Sequence, residues 1–122
     1  MSNVYELARG ETESFTGEVR DFANALVDLT DAKIYFTVRG LDDAVVLTKR
    51  SAAAGGGSTE IDIPDQVANK GTYTLKIGHT DSDLDPTARW ADCWVVTAGG
   101  EYIQVDSHAP FYITGAETRS IP

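Results

Sequence analysis

The sequence predicts an all-β chain folded as an antiparallel β-sandwich of seven to eight strands, and three observations carry that expectation. In "AKIYFTVR" the residues Ala32, Ile34, Phe36 and Val38 alternate with Lys33, Tyr35, Thr37 and Arg39, which gives one apolar and one polar face with period 2. "TYTLKIG" repeats the pattern, with Tyr73, Leu75 and Ile77 on one side and Thr72, Thr74 and Lys76 on the other. Shorter runs of the same kind recur at about 8 to 14 residue spacing with turn residues between them, as in sandwiches and barrels.

Taken in chain order, an extended N-terminal arm over about residues 1–10 leads into the strand "ESFTGEV". In "DFANALVDLTD" Phe22, Ala25, Leu26 and Leu29 fit the helical i, i+3, i+4, i+7 template. The segment nonetheless reads as extended or irregular, because Asn24, Val27, Asp28 and Thr30 are mediocre helix formers and no C-cap glycine precedes Ala32. After "AKIYFTVR" comes the strand "AVVLTKR", then "SAAAGGGST" at 51–59, whose small residues and glycines predict a mobile surface loop. This is no phosphate loop, since no Lys-Ser or Lys-Thr follows the glycines and "TEIDI" continues as a strand. "TYTLKIG" and "DCWVVT" are the next strands, and the Gly-Gly of "TAGGEY" turns the chain into "EYIQV". "PFYIT" closes the pattern before a C-terminal arm over about 115–122. The expected core is Phe15, Val19, Leu29, Ile34, Phe36, Val38, Leu47, Ile61, Ile63, Tyr73, Leu75, Ile77, Leu84, Cys93, Val95, Ile103, Val105, Phe111 and Ile113.

At 122 residues the chain is expected to form one domain, 1–122, with a core that needs neither metal nor disulfide. Nineteen acidic residues stand against ten Lys and Arg, for a formal net charge of −9. That field repels nucleic acid and anionic membranes and leaves a protein or a carbohydrate as the expected partner. The lone cysteine, Cys93, has no internal disulfide partner and is expected to be a buried, inert thiol. "MSNVYELARGE" has no apolar signal-peptide core, and no eighteen-residue apolar run occurs, so synthesis in the cytosol without export is expected.

The stretch "DSDLDPTARWAD" invites a metal reading. Asp81, Asp83, Asp85 and Asp92 fall at positions 1, 3, 5 and 12 of an EF-hand-length window. Pro86 stands where that loop needs a sharply bending glycine, Asp92 is shorter than the required Glu, and both flanks read as strands. Asp81, Asp83 and Asp85 therefore remain only weak metal candidates, and no cofactor is expected. Asp106, Ser107 and His108 carry the residue types of a hydrolytic triad, but neighbours on a strand point to opposite faces unless the strand breaks there. With two histidines and one thiol the chain has no three-histidine zinc set and no motif for a Cys-His pair, so no enzyme is expected. The aromatics Trp90, Trp94, Tyr102 and Tyr112 are the candidate contacts for a glycan or a partner. In "WADCWVV" both parities hold apolar residues, so the sequence leaves open which way the indoles point.

The segments "DLTDAKIYFTVR" (28–39), "STEIDIPDQVANKGTYTLKIGHTDSDLD" (58–85) and "WVVTAGGEYIQVDSHAPFYITGAETR" (94–119) cover about 90 of the 122 residues. Together they resemble the immunoglobulin-like domain of tailed-phage virion proteins, including the N-terminal module of upper baseplate proteins. The matching features are Asp28 to Thr30 with Ala32 opening a strand, Gly71 before a strand, the turn of Asp81 and Leu84, the hairpin of Gly99 and Gly100, and the closing strand at Phe111. The resemblance implies an immunoglobulin-like sandwich that docks, in many copies, on other phage structural proteins of the capsid, tail or baseplate. It also implies that Asp81 caps backbone N–H groups and Leu84 plugs the core, with Asp83, Asp85 and Asp92 mostly solvated. The family's usual Gly after the Asp-x-x-Leu turn is replaced here by "DPTARW", so that turn is expected to differ. Upper baseplate proteins continue into a segment carrying receptor-binding proteins, whereas this chain ends at Pro122. The expected role is that of a small accessory or decoration protein of the virion.

Overall fold

The structure, a computed structural model, describes residues 4–51 and 61–114. Among them are eight strands and no helix: β1 (Tyr5–Ala8), β2 (Glu13–Glu18), β3 (Lys33–Arg39), β4 (Val45–Arg50), β5 (Ile61–Asp62), β6 (Thr72–Ile77), β7 (Ala88–Val96) and β8 (Tyr102–Thr114). They form a five-stranded sheet of order β1-β8-β7-β3-β4 and a three-stranded sheet of order β2-β6-β5, an all-β arrangement consistent with a β-sandwich. The expected loop at 51–59 and the C-terminal arm at 115–122 lie outside the described residues, apart from Ser51.

The period-2 patterns fix which face of each strand is inside. In β3 Ile34, Phe36 and Val38 are buried, and in β6 Tyr73, Leu75 and Ile77 are. Both sets belong to one core cluster with Val95, Phe111 and Ile113. In β7 the odd residues Arg89, Ala91, Cys93 and Val95 point inward, which sends Trp90, Trp94 and Val96 to the outer face. Phe15, Leu47, Ile63, Leu84, Ile103 and Val105, all expected in the core, are only partly buried and pack against its margin. Ala32, Ala91 and Ala109 are fully inside instead, Ala91 and Ala109 as cross-strand partners on β7 and β8.

Two expectations need correction. The N-terminal arm holds a strand: β1 lies parallel to β8, with Tyr5 beside Phe111 and Leu7 beside Ile113, so the larger sheet is mixed and not purely antiparallel. Tyr5 and Leu7 are 2% and 1% exposed and part of the core. The four-residue "YELA" alternates over too few residues to stand out from its surroundings, which is why it reads as an arm. "EYIQV" and "PFYIT" are likewise not two strands but one, β8, interrupted by register shifts opposite Ala91 to Trp94. Two residues of β7, from Ala91 to Cys93, face three steps of β8, from Ala109 to Asp106, and one further step is gained before Gln104. His108 takes up the extra length with a φ of 53°.

Segment 20–32 is irregular, as expected. It is tied by a bridge between Arg20 and Leu26, and Gly71 at φ 79° packs beneath it: a Cβ there would meet Leu26 Cδ2 at 2.9 Å and the Val19 carbonyl at 3.1 Å. The hairpin at Gly99 and Gly100 also forms, with the Gly100 N–H donating to the Thr97 carbonyl at 2.9 Å and Gly100 at φ 88°.

Candidate functional site: an aromatic docking surface

The carboxylates of the Asp-rich stretch are engaged by cations of the chain itself. Asp81 Oδ2 accepts from Lys49 Nζ at 2.6 Å and from the Gly78 N–H at 2.8 Å, which pins the turn after β6. Burial pushes the Asp81 carboxyl up, but the Lys49 hydrogen bond, the Gly78 N–H and the Lys49 charge together hold it below its ordinary value. Arg9 reaches Asp83 at 2.9 Å and Asp85 at 3.3 Å, and its guanidinium is held the more firmly protonated chiefly by the Asp83 hydrogen bond. Leu84 packs against the core margin. Asp83 and Asp85 are solvent-exposed, but Asp92 is only 27% exposed, because it accepts from the His108 N–H and faces Arg39. Among the described residues no three His, Cys, Asp or Glu side chains converge as metal ligands do.

The strand break at Asp106 to His108 does occur, yet it separates the three residues. Asp106 is fully buried and accepts from the Tyr5 hydroxyl at 2.5 Å, while Ser107 and His108 are exposed. The Tyr73 hydroxyl belongs to the same buried cluster, with Cys93, Tyr5 and Asp106 around it. Burial raises the Tyr73 phenol and pushes the Cys93 thiol up to about 12, so Cys93 stays a neutral thiol. A neutral, enclosed thiol is no nucleophile.

The aromatic candidates divide into two groups. Trp94 lies opposite Tyr35 on β3, and Val96 opposite both Lys33 and Tyr102, so these five side chains share one corner of the outer sheet face around a shallow depression of ≈ 610 Å³. Tyr35, Trp94 and Tyr102 are 38%, 40% and 73% exposed. Trp90, on the same face but four residues back along β7 and so about 13 Å away, is half-buried against the His108 ring at 5.6 Å. Tyr112 is exposed near β1, across from Ala88. The two tryptophans therefore do not form one platform.

Two surface features were not singled out by sequence reasoning. Phe22 is 107% exposed and Val67 94%, on the loops 20–26 and 65–71 at the same end of the molecule. Gln66 joins those loops: its side-chain carbonyl accepts from the Leu29 N–H at 3.0 Å and the Gly71 N–H at 2.8 Å. A recess of ≈ 560 Å³ lies between Arg20, Asp21 and Asn24 on one side and Ile103, Gln104 and Val105 of β8 on the other. Since Gln104 is also the cross-strand neighbour of Trp94, the Phe22 loop and the aromatic corner flank the same start of β8. A clue was present in the sequence: Phe22 follows Asp21 in a segment that Asn24, Val27, Asp28 and Thr30 weaken as a helix, where an aromatic has no strand face to bury it.

Four of the five exposed aromatic residues among those described, Phe22, Tyr35, Trp94 and Tyr102, thus gather at one end. The turn after β6 is held by ion pairs and hydrogen bonds: Arg9 with Asp83 and Asp85, Lys49 with Asp81, and the Ser82 hydroxyl donating to the Glu11 carbonyl at 2.7 Å. Comparison with known proteins found no matching family model, no matching curated protein and no matching solved structure.

Proposed function

We propose that the protein is a non-enzymatic structural component of a tailed-phage virion, a small immunoglobulin-like module that docks on other virion proteins as head decoration or as a tail or baseplate accessory. The observation that carries this reading is the gathering of exposed aromatics around the start of β8. Tyr, Trp and Phe are enriched at the centres of protein interfaces, where large rigid rings gain contact area at small entropic cost. The sequence resemblance supplies the virion context, and the sheet edges and long loops of the two-sheet fold suit protein contacts. Its acidic charge suits a basic or mixed-charge lattice and steers association more than it sets affinity. Electron microscopy of purified particles with a gold-labelled antibody to the protein is the test. Regular labelling of head or tail is expected, and absence from the particle overturns the proposal.

A second reading, a carbohydrate-binding module for adhesion to host glycans, is favoured by one feature: Trp94 is flanked by Tyr35, Tyr102 and Lys33 on a flat sheet face. A pyranose stacks on such a ring while Lys33 donates to its hydroxyls. Titration of tryptophan fluorescence with soluble host-surface glycans separates the readings. A saturable change that Trp94→Ala abolishes supports glycan binding, and its absence leaves the docking role.

A further inference from the structure

Among the described residues Phe22 is the most exposed large apolar side chain, and the loop that carries it is closed on itself by hydrogen bonds. The Asp21 carboxylate accepts from the N–H groups of Ala23 and Ala25, both at 2.9 Å. The Asp21 N–H donates to the Ala25 carbonyl at 2.8 Å, and the Asn24 N–H to the Asp21 carbonyl at 2.9 Å. Asn24 adopts a φ of 67°, and Arg20 Nη1 donates to its carbonyl at 3.0 Å. The base is anchored as well, because the Val19 N–H donates to Gly71, the Val27 N–H to Val19, and Leu26 packs over Gly71.

A loop with a free choice of conformations folds a phenylalanine back onto the protein, since burying the ring gains free energy. Here five residues are fixed in a conformation that holds the ring in water. Binding a partner then costs little further ordering of the backbone, which is the advantage of a preorganised anchor. We propose that Phe22 is the docking anchor of the protein, inserting into an apolar pocket on a partner protein whose rim is basic. The inference rests on the docking reading above and names the residue and the partner's chemistry. The basic rim follows from charge: Glu18, Asp21, Asp28 and Asp31 stand in and around the loop against Arg20 and Lys70, and both cations are already engaged, Arg20 by Glu18 at 3.4 Å and Lys70 by the field of Asp28. A second copy of the chain would bring the same acids, and the same net charge of −9, against them.

The test places the photo-crosslinking amino acid p-benzoylphenylalanine at position 22, and at the exposed Thr48 of β4 as the control, in cells that make the protein. The expected result is one dominant adduct from position 22 and not from position 48, mapped by mass spectrometry to an apolar pocket flanked by Lys or Arg. The purified partner should then bind Phe22→Ala about 30-fold or more weakly than the wild type, and Phe22→Leu at an intermediate level. All three forms should share one melting temperature, because the ring touches nothing in the free protein. The inference is overturned by no adduct, by equal adducts from both positions, or by crosslinking to another copy of the chain. It is also overturned if Phe22→Ala binds the partner within threefold of wild type, or if binding to neutral phosphatidylcholine vesicles is what Phe22→Ala removes. A partner that is no virion protein, bound through Phe22, sinks the virion reading and leaves the anchor standing. A virion partner indifferent to Phe22→Ala does the reverse.

Discussion

Asp106 is the residue whose surroundings say most about how this core tolerates polarity. A buried carboxyl with nothing to accept from is costly, and Tyr5, brought alongside by the parallel pairing of β1 with β8, donates its hydroxyl to it. The same ring makes edge contacts with Phe15 and Phe36 at 5.0 and 5.2 Å, so Tyr5 serves apolar packing and polar satisfaction together. Tyr5→Phe keeps the ring and deletes only the hydroxyl. It should therefore cost about 1 to 3 kcal/mol in chemical denaturation, the range for weakening the satisfaction of a buried polar group. A loss below a few tenths would mean that Tyr5 contributes only through its ring. The neighbouring Tyr73 is a different case, because its ring covers Gly17 of β2, where a Cβ would lie 2.5 Å from the ring atoms. Gly17 is thus required by the size of its cross-strand partner, a constraint of packing and not of backbone conformation.

At the scale of elements, the connection after β6 shows a short turn fixed by charge. Asp81 caps the Gly78 N–H, and Lys49 reaches across from β4 to the same oxygen, with side chains only 24% and 12% exposed. Because the Asp81 carboxyl titrates below its ordinary 3.8 in the folded chain, its ionised form favours folding. That contribution is complete above the unfolded value and is lost as pH falls through the folded one. Lys49→Met should lower stability by about 1 kcal/mol at pH 7, the upper part of the range for an ion pair near the surface. The difference from wild type should hold from pH 7 to 5 and shrink below about pH 4. A difference that grows as the solution is acidified would refute the assignment. Much of this level could be read in the sequence: the alternation in "AKIYFTVR" and "TYTLKIG" places β3 and β6, and Gly-Gly places the hairpin before β8. What could not be read depends on partners distant in sequence. The bulges of β8 exist only relative to β7, and the pairing of Arg9 with Asp83 joins residues that no local pattern connects. For the candidate site, the aromatic types were visible but their directions were not. "WADCWVV" became interpretable only once β3 and β8 fixed which parity faces out, and Phe22 stood in a segment whose helical spacing the fold does not use.

Over the whole molecule, β1 belongs to the body of the fold. It is the edge strand of the five-stranded sheet, yet it covers only Phe111 to Thr114 of β8, leaving the bulged half of that strand toward the recess beside the Phe22 loop. If the N-terminal segment were a dispensable arm, substitutions along it would be neutral. The alternation Tyr5 in, Glu6 out, Leu7 in predicts otherwise, since Leu7 is among the largest fully buried side chains and sits beside Ile113. Leu7→Ala should cost about 2 to 5 kcal/mol, the range for truncating a buried leucine. Glu6→Ala, one residue away on the solvent side, should change stability by less than about 0.5 kcal/mol. A fold of this size has about 5 to 15 kcal/mol in hand, so Leu7→Ala is expected to remain folded with a clearly lowered denaturation midpoint. Its slope against denaturant should be unchanged, because a cavity alters stability and not the surface exposed on unfolding. Equal, small effects at Glu6 and Leu7 would show that β1 is detached in solution and that the core closes without it.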